Sequence, residues 1–454
     1  MKFSFKKLLV SGMLAGAMTF CAAGAANFDS AAQSLSDLGL LNGTQSGFDL
    51  DRAGTRGEAA AMLVRLLGKE AEAVESWKTD AEGFAFTDME DSAWAKPYVN
   101  WLVKNGLAAG TTDTTFAPRD ECSAQMAATF LLRALGYSDA EGGDFTYFTA
   151  MDFAREKGVV DLFNCDEKAF QRDHLVAMCY TTLSRQPKSG EADLLSKLVA
   201  EGVVADNDAS KALRQNFADY REFYGSSDNL NNATSMACKL TADFNISAEG
   251  ESAKMSMVQD IAMKYDAAKP ADMEMSVTGS VSVITPEETV NVPNTMYFKD
   301  GYAYIEADGT KIKLPMDFEE AISQAGVINV KSVNGEPITS IESLKKSTAD
   351  GKTTYDIVYN AKLMNHVVDS IMGPMLQALP ELGGTKLDIS IDKVTLHSVT
   401  ANGKVESAKM DMAMSFGEED FKMDMNMTMD ITAVGDGVKV EFPASFEGYE
   451  SIEE

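Results

Sequence analysis

TRGEAAAMLVRLLG, from Thr55 to Gly68, returns as SAQMAATFLLRALG, from Ser123 to Gly136, and in worn form as QRDHLVAMCYTTLS, from Gln171 to Ser184. Apolar residues keep the same offsets: Ala59, Met62, Leu63, Leu66 and Leu67, then Ala127, Phe130, Leu131, Ala134 and Leu135, then Leu175, Met178, Cys179 and Leu183. That spacing places one apolar stripe along a helix. Upstream of each helix a second apolar run ends at a glycine, in SLSDLGLLNG around Gly39, NWLVKNGLAAG around Gly106 and FAREKGVVD around Gly158. The pattern predicts three units of helix, glycine-bearing loop and helix, and a repeated unit of this kind packs against its neighbours to close a core.

These residues resemble the S-layer homology domain, which comes in threes near one end of Gram-positive surface proteins. The second copy carries the likeness best: FTDMEDSAWAKPYVNWLVKNGLAAGTTDTTFAPRDECSAQMAATFLLRALG, Phe86 to Gly136, follows the family order of aromatic-Asp, Trp-Ala, Gly-Leu, Thr-Phe-x-Pro and closing helix. The family's Thr-Arg-Ala-Glu motif stands as Thr55-Arg56-Gly57-Glu58, then Ser123-Ala124-Gln125-Met126, then Gln171-Arg172-Asp173-His174. The resemblance implies a pseudo-threefold helical bundle that docks on secondary cell-wall polysaccharide, often pyruvylated, through grooves between repeats. A guanidinium meets a ketal carboxylate with two parallel hydrogen bonds, and an aromatic face covers a sugar ring. Arg56, Arg172 and Trp94 are therefore the expected glycan contacts. The competing reading makes Thr55 and Glu58 an ordinary helix-starting capping box and Trp94 a core anchor.

The N-terminus predicts export. Lys2, Lys6 and Lys7 precede an apolar run from Leu8 to Phe20, and small residues around Gly24-Ala25-Ala26 suit signal-peptidase cleavage. Cys21 lacks the small residue before it that a lipoprotein signal needs, since Phe20 stands there. No later stretch has the roughly 18 uninterrupted apolar residues of a membrane span, so a cell-wall location on a Gram-positive-type surface would rest on the repeats, with no transmembrane anchor. The 454 residues carry a formal charge of −29, which disfavours nucleic acid as a partner. Screening over about 10 Å at 0.1 M salt still leaves local arginines free to meet an anionic polymer. Cys122, Cys165, Cys179 and Cys238 show no paired spacing and predict no disulfide framework, a Cys165 to Cys179 bridge being the exception left open.

Composition changes sharply along the chain. All ten arginines lie at or before Arg221, whereas 17 of 26 methionines lie from Met255 onward. We read residues 1–26 as signal, 27–82, 83–140 and 141–186 as the three repeats, 187–229 as a helical linker and 230–454 as a second domain. There Met410, Met412 and Met414, and then Met423, Met425, Met427 and Met429, alternate with mostly polar residues. Period two predicts strands with one apolar and one wet face. Asn294 to Leu314 reads as a hairpin turned at Asp300-Gly301, with a second turn at Asp308-Gly309. The expected fold is α+β and multidomain: an all-α repeat bundle, then an antiparallel, half-barrel-like sheet with two helices, 317–325 and 360–379, the latter broken near Gly373-Pro374. In strand layout and inserted helices this domain is similar to the lipoprotein-carrier half-barrels of bacterial envelopes. Its methionine face is then either helix-covered core or the wall of an apolar or lipidic ligand site, since thioether side chains reshape to irregular partners.

No catalytic, metal or cofactor site is expected. His174, His366 and His397 have no partner at metal-ligand spacing. Ser343-x-x-Lys346 and Ser227-Asp228-Asn229 spell two motifs of penicillin-recognising enzymes in reversed order and without the third. Glu418-Glu419-Asp420 lacks the spaced oxygen ligands of a calcium loop. Two readings remain from the sequence: a non-catalytic, wall-anchored protein whose β domain binds an apolar ligand, and a structural S-layer or envelope component whose β domain only packs or self-associates.

Overall fold

The computed structural model describes residues 28–44, 47–161, 163–190, 192–231, 233–248, 251–265, 272–307, 309–315, 337–363, 388–418 and 421–451. The expected signal segment, the expected helix 317–325, nearly all of the expected helix 360–379 with His366, and Glu419-Asp420 lie outside them. The chain divides into two compact units, one described over residues 28–221 and 337–342, the other over 222–315 and 343–451.

The first unit is helical. Its elements are α1 (Asp29–Asp37), α2 (Arg56–Leu66), α3 (Glu70–Asp80), α4 (Lys96–Lys104), α5 (Ala124–Ala134), α6 (Ala150–Glu156), α7 (Arg172–Leu183), α8 (Leu194–Ala200) and α9 (Asp208–Ser226), the last running past the unit boundary. The three repeated stretches are α2, α5 and α7. Thr55 caps α2 in a reciprocal capping box with Glu58, and the Ser123 hydroxyl accepts the N–H of Met126 at 3.2 Å to start α5. At α7 the Gln171 N–H donates to His174 Nδ1 at 3.0 Å. The glycines that close α1, α4 and α6, namely Gly39, Gly106 and Gly158, all take φ near +70° (+73°, +67° and +68°). A Cβ resists that left-handed conformation, which is why the sequence places glycine there three times.

Packing links the copies in a ring. The opening helix of the second copy, α4, packs on α2 of the first; α6 of the third packs on α5 of the second; α1 of the first packs on α7 of the third. Phe28 at the head of α1 donates its N–H to Asp173 at 2.9 Å. Leu35, Leu63, Leu66, Leu102, Leu131 and Leu132 are among the fully buried side chains of this core. All four described cysteines are free, Cys122, Cys179 and Cys238 being buried. Burial pushes the Cys122 thiol up to about 12.

The second unit is one sheet of twelve strands in the order β12-β6-β5-β4-β3-β2-β1-β11-β10-β9-β8-β7. Its long central members are β1 (Ser235–Ala248), β2 (Glu251–Lys264), β9 (Asp388–Ala401), β10 (Lys404–Glu418) and β11 (Phe421–Val434). Flanking them are β3 (Glu274–Ile284), β4 (Thr289–Lys299), β5 (Tyr302–Ala307), β6 (Thr310–Pro315), β7 (Ile341–Ala349) and β8 (Lys352–Tyr359), with the two-residue β12 (Glu450–Ser451) at one edge. Asp300-Gly301, Asp350-Gly351 and Asn402-Gly403 all take positive φ at both residues, which matches the twist of tight hairpins. Two runs of sequential antiparallel strands, β1–β6 and β7–β11, meet where β1 pairs with β11. At the far edge β12 pairs parallel with β6, and Phe446 stacks on Tyr304 with ring centroids 3.9 Å apart.

Candidate functional site

Two of the repeats, the second and the first, hand a backbone loop to the head of the preceding copy's closing helix around the ring. The N–H groups of Arg56 and Gly57 donate to the carbonyls of Asp120 and Pro118, both at 2.9 Å. One step round the ring, the N–H groups of Arg172 and Asp173 donate to Arg52 and Leu50 at 2.7 and 2.9 Å. Arg56 and Arg172 therefore occupy equivalent positions against equivalent loops.

Their guanidinium groups repeat the parallel with one difference. Arg56 Nε donates to the Phe116 carbonyl at 3.0 Å and one terminal nitrogen reaches the Ala109 carbonyl at 3.5 Å. Arg172 Nε donates to Phe48 at 2.8 Å and a terminal nitrogen to Asn42 at 3.3 Å. The remaining nitrogen of Arg172 pairs with Glu58 Oε1 at 2.9 Å, whereas that of Arg56 faces the Met126 thioether at 3.4 Å. Among the described residues no carboxylate oxygen stands within ion-pair distance of Arg56. Its charge instead lies over the Phe116 ring, 4.9 Å from the centroid.

Exposure follows the same division. Arg172 is 3% exposed and spends its donors inside the protein, while Arg56 is half-buried. Glu58 also takes two bonds from Arg52, at 2.5 and 3.1 Å. Burial works against the Glu58 carboxylate, but the Arg52 hydrogen bond, the Arg172 charge and the Thr55 N–H outweigh it and hold the carboxyl below its ordinary range. Asp88 is capped by the N–H groups of Phe116 and Ala117, at 3.0 and 2.7 Å. Burial opposes its ionisation, and those two donors with a smaller contribution from Arg56 still keep its carboxyl low.

Trp94 lies in the 3-10 turn Glu90–Ala95, which packs on α2 and sets Ala95 against Gly57 beside Arg56. Trp94 is 51% exposed, its ring 6.4 Å from that of Tyr98 between centroids. In the third equivalent position the arginine is replaced by Ala124, which is buried. The neighbouring Gln125 instead bonds the Tyr147 carbonyl. The contact between each arginine and the helix-start residue of the next copy was missed in sequence reasoning, which treated Glu58 only as a cap. The signal was available: Glu58, Met126 and His174 stand at one repeat offset and differ.

Residues 85–123 match the S-layer homology domain family. The chain carries an S-layer homology domain. That domain includes Asp88, Trp94, Ala109 and Phe116, the loop on which Arg56 rests. A "Cell surface protein" of Thermoanaerobacter kivui is 34% identical over 119 residues, which is 26% of this chain and 15% of that protein. A "Middle cell wall protein" of Brevibacillus brevis is 29% identical over 119 residues, 26% of this chain and 11% of that one. A "Surface layer protein" of Brevibacillus choshinensis is 32% identical over 110 residues, 24% and 10%. The chain thus spans no more than 15% of the length of these relatives. Among solved structures, LprF from Mycobacterium bovis aligns with 50% of this chain and 98% of its own at 13% identity and a TM-score of 0.24. A DUF1329 family protein from Desulfovibrio piger aligns with 51% and 96% at 9% identity and a TM-score of 0.17.

Beyond the S-layer homology domain, the methionine face is continuous across the sheet. Met410, Met412 and Met414 sit opposite Met429, Met427 and Met425, and the same β11 residues face Leu240, Ala242 and Phe244 on β1. Met414 and Met427 are buried at 2% and 5% exposure, while Met410, Met412, Met423, Met425 and Met429 are partly buried. Farther along this face Gln259 and Asn294 pair at 3.1 Å across Gly279, both buried.

The residues weighed for chemistry have structural partners. His397 faces Asp356 at 2.7 Å, Ser227 bonds the Phe223 carbonyl at 2.9 Å, and Lys346 pairs with Glu222 at 2.5 Å. Among the described residues there is no group of three or more His, Cys, Asp or Glu side chains arranged to hold a metal ion, and no helix long and apolar enough to cross a membrane.

Proposed function

We propose that the helical unit anchors the protein to the cell wall by binding an acidic secondary polysaccharide, and that the β-sheet unit is carried at the cell surface without catalytic activity. The observation that carries this reading is the half-exposed Arg56 guanidinium, which has no carboxylate partner among the described residues and stands beside the turn bearing the exposed Trp94. A planar guanidinium with free edge donors suits a sugar carboxylate such as a pyruvate ketal, and an open indole suits the ring next to it. Arg172, sequestered with Glu58, serves the ring of repeats more than the ligand. The S-layer homology domain and the cell-surface, cell-wall and surface-layer relatives support the same location. The test is retention of the full chain on purified wall sacculi, before and after the non-peptidoglycan polymer is stripped; equal retention on both would reject it.

For the sheet we propose an apolar or lipidic ligand on the methionine face, a reading favoured by thioethers that stay partly exposed at Met423, Met425 and Met429. Saturable binding of an apolar fluorophore to the full chain supports it. Failure to bind, with concentration-dependent assembly, supports a purely structural envelope role instead.

A further inference from the structure

Met126 and Glu58 occupy one repeat position, the third residue of a closing helix, and each meets the arginine that begins the closing helix of the preceding copy. Around that contact the two arginines match donor for donor: Nε to a phenylalanine carbonyl, and one terminal nitrogen to a second carbonyl. The difference is confined to the last nitrogen. In Arg172 it meets a carboxylate at 2.9 Å; in Arg56 it meets a thioether at 3.4 Å. A neutral sulfur is a weak acceptor and supplies no counter-charge.

We infer that Met126 is the residue that sets charge selectivity, leaving Arg56 without a carboxylate at ion-pair distance, so that the groove between the first and second copies accepts an anion. Between the third and first copies Arg172 is paired with Glu58, which Arg52 also engages, with Asp49 3.9 Å from Arg52, and between the second and third copies Ala124 stands in place of the arginine. The protein therefore reads an acidic group in one groove of three. This inference rests on the anchoring reading above and adds the residue that decides which groove works.

The experiment uses the full chain in titration calorimetry, with a hexoside bearing a cyclic pyruvate ketal and the methyl ester of the same sugar as probes. The wild-type protein should prefer the acid to the ester by about tenfold, the scale of one charge-assisted hydrogen bond. Met126→Glu should abolish that preference and Met126→Gln, of the same shape but uncharged, should keep it. Met126→Lys should maintain or raise it, an opposite response that damage to the fold could not produce. A preference unchanged in Met126→Glu but lost in Arg56→Ala overturns the inference and leaves the role of Arg56 standing. A preference that survives Arg56→Ala, or is absent from the wild type, overturns both.

Discussion

Arg172 and Glu58 form a 2.9 Å ion pair between the third and first repeats, with the arginine almost wholly excluded from solvent. The pair ties the end of the helical unit back to its beginning, because α7 follows α2 by more than a hundred residues and the two helices start at a shared carboxylate. Removing one partner of a buried pair strands the other charge.

Glu58→Ala should therefore destabilise the full chain by about 3–5 kcal/mol, the range for breaking a buried pair, with loss of the α2 cap included. Equilibrium urea unfolding measures it. The pH response follows in sign: Glu58 has a depressed carboxyl in the folded protein, so its contribution is complete above the ordinary glutamate range near 4.5 and is lost as pH falls through the depressed value. Acid unfolding of Glu58→Gln should show a flatter slope in that window.

Arg56→Ala and Arg172→Ala should separate binding from stability. The first should weaken retention on wall sacculi by roughly 1.5–3 kcal/mol, as for loss of a hydrogen bond to a charged group, with a smaller loss of melting than Arg172→Ala because Arg56 is half-buried and has no ion pair among the described residues. Arg56→Lys should restore it only in part, since an ammonium cannot form the paired fork. Arg172→Ala should lower the melting transition markedly, as its donors lie inside the protein. Co-sedimentation alongside thermal melts reads both effects.

On the sheet, Met427→Gln should cost about 1–3 kcal/mol, because an amide at this buried position would face the apolar side chains of its paired neighbours Met412 and Ala242. Met423→Gln should cost less, since its side chain is only partly buried and the amide can reach water. Comparing the two variants by chemical unfolding checks the ordering, and equal costs would remove the distinction drawn along this face.

Gly279→Ala should be more damaging than most strand substitutions. A Cβ at Gly279 would run into the Val258 carbonyl oxygen and crowd Gln259 Oε1 at 2.7 Å. Both backbone and the Gln259–Asn294 pair would have to move, at about 1–3 kcal/mol for overpacking or more. A melt indistinguishable from that of the wild type would show that the strands absorb the methyl group.

Much of the fold was legible because periodicity is a local property. The stripe from Ala59 to Leu67 fixes a helix, and the alternation from Met423 to Met429 fixes a strand, whatever the rest of the chain does. The turn at Asp300-Gly301 was readable for the same reason, since positive φ at both positions restricts residue choice. The pairing of β1 with β11 was not: alternating strands can neighbour any others, and only assembly of the whole sheet selects that partner.

The candidate site divides along the same line. The sequence by itself determined that Arg56 and Arg172 are repeat equivalents and that Ala124 breaks the series, because those facts lie in the alignment of one copy on another. Only the tertiary structure decided that the two arginines differ, one held by Glu58 and the other left against Met126. The physical reason is that an arginine always carries its charge, and whether that charge is paired depends on the groups that surround it in space, which here come from the next repeat around the ring.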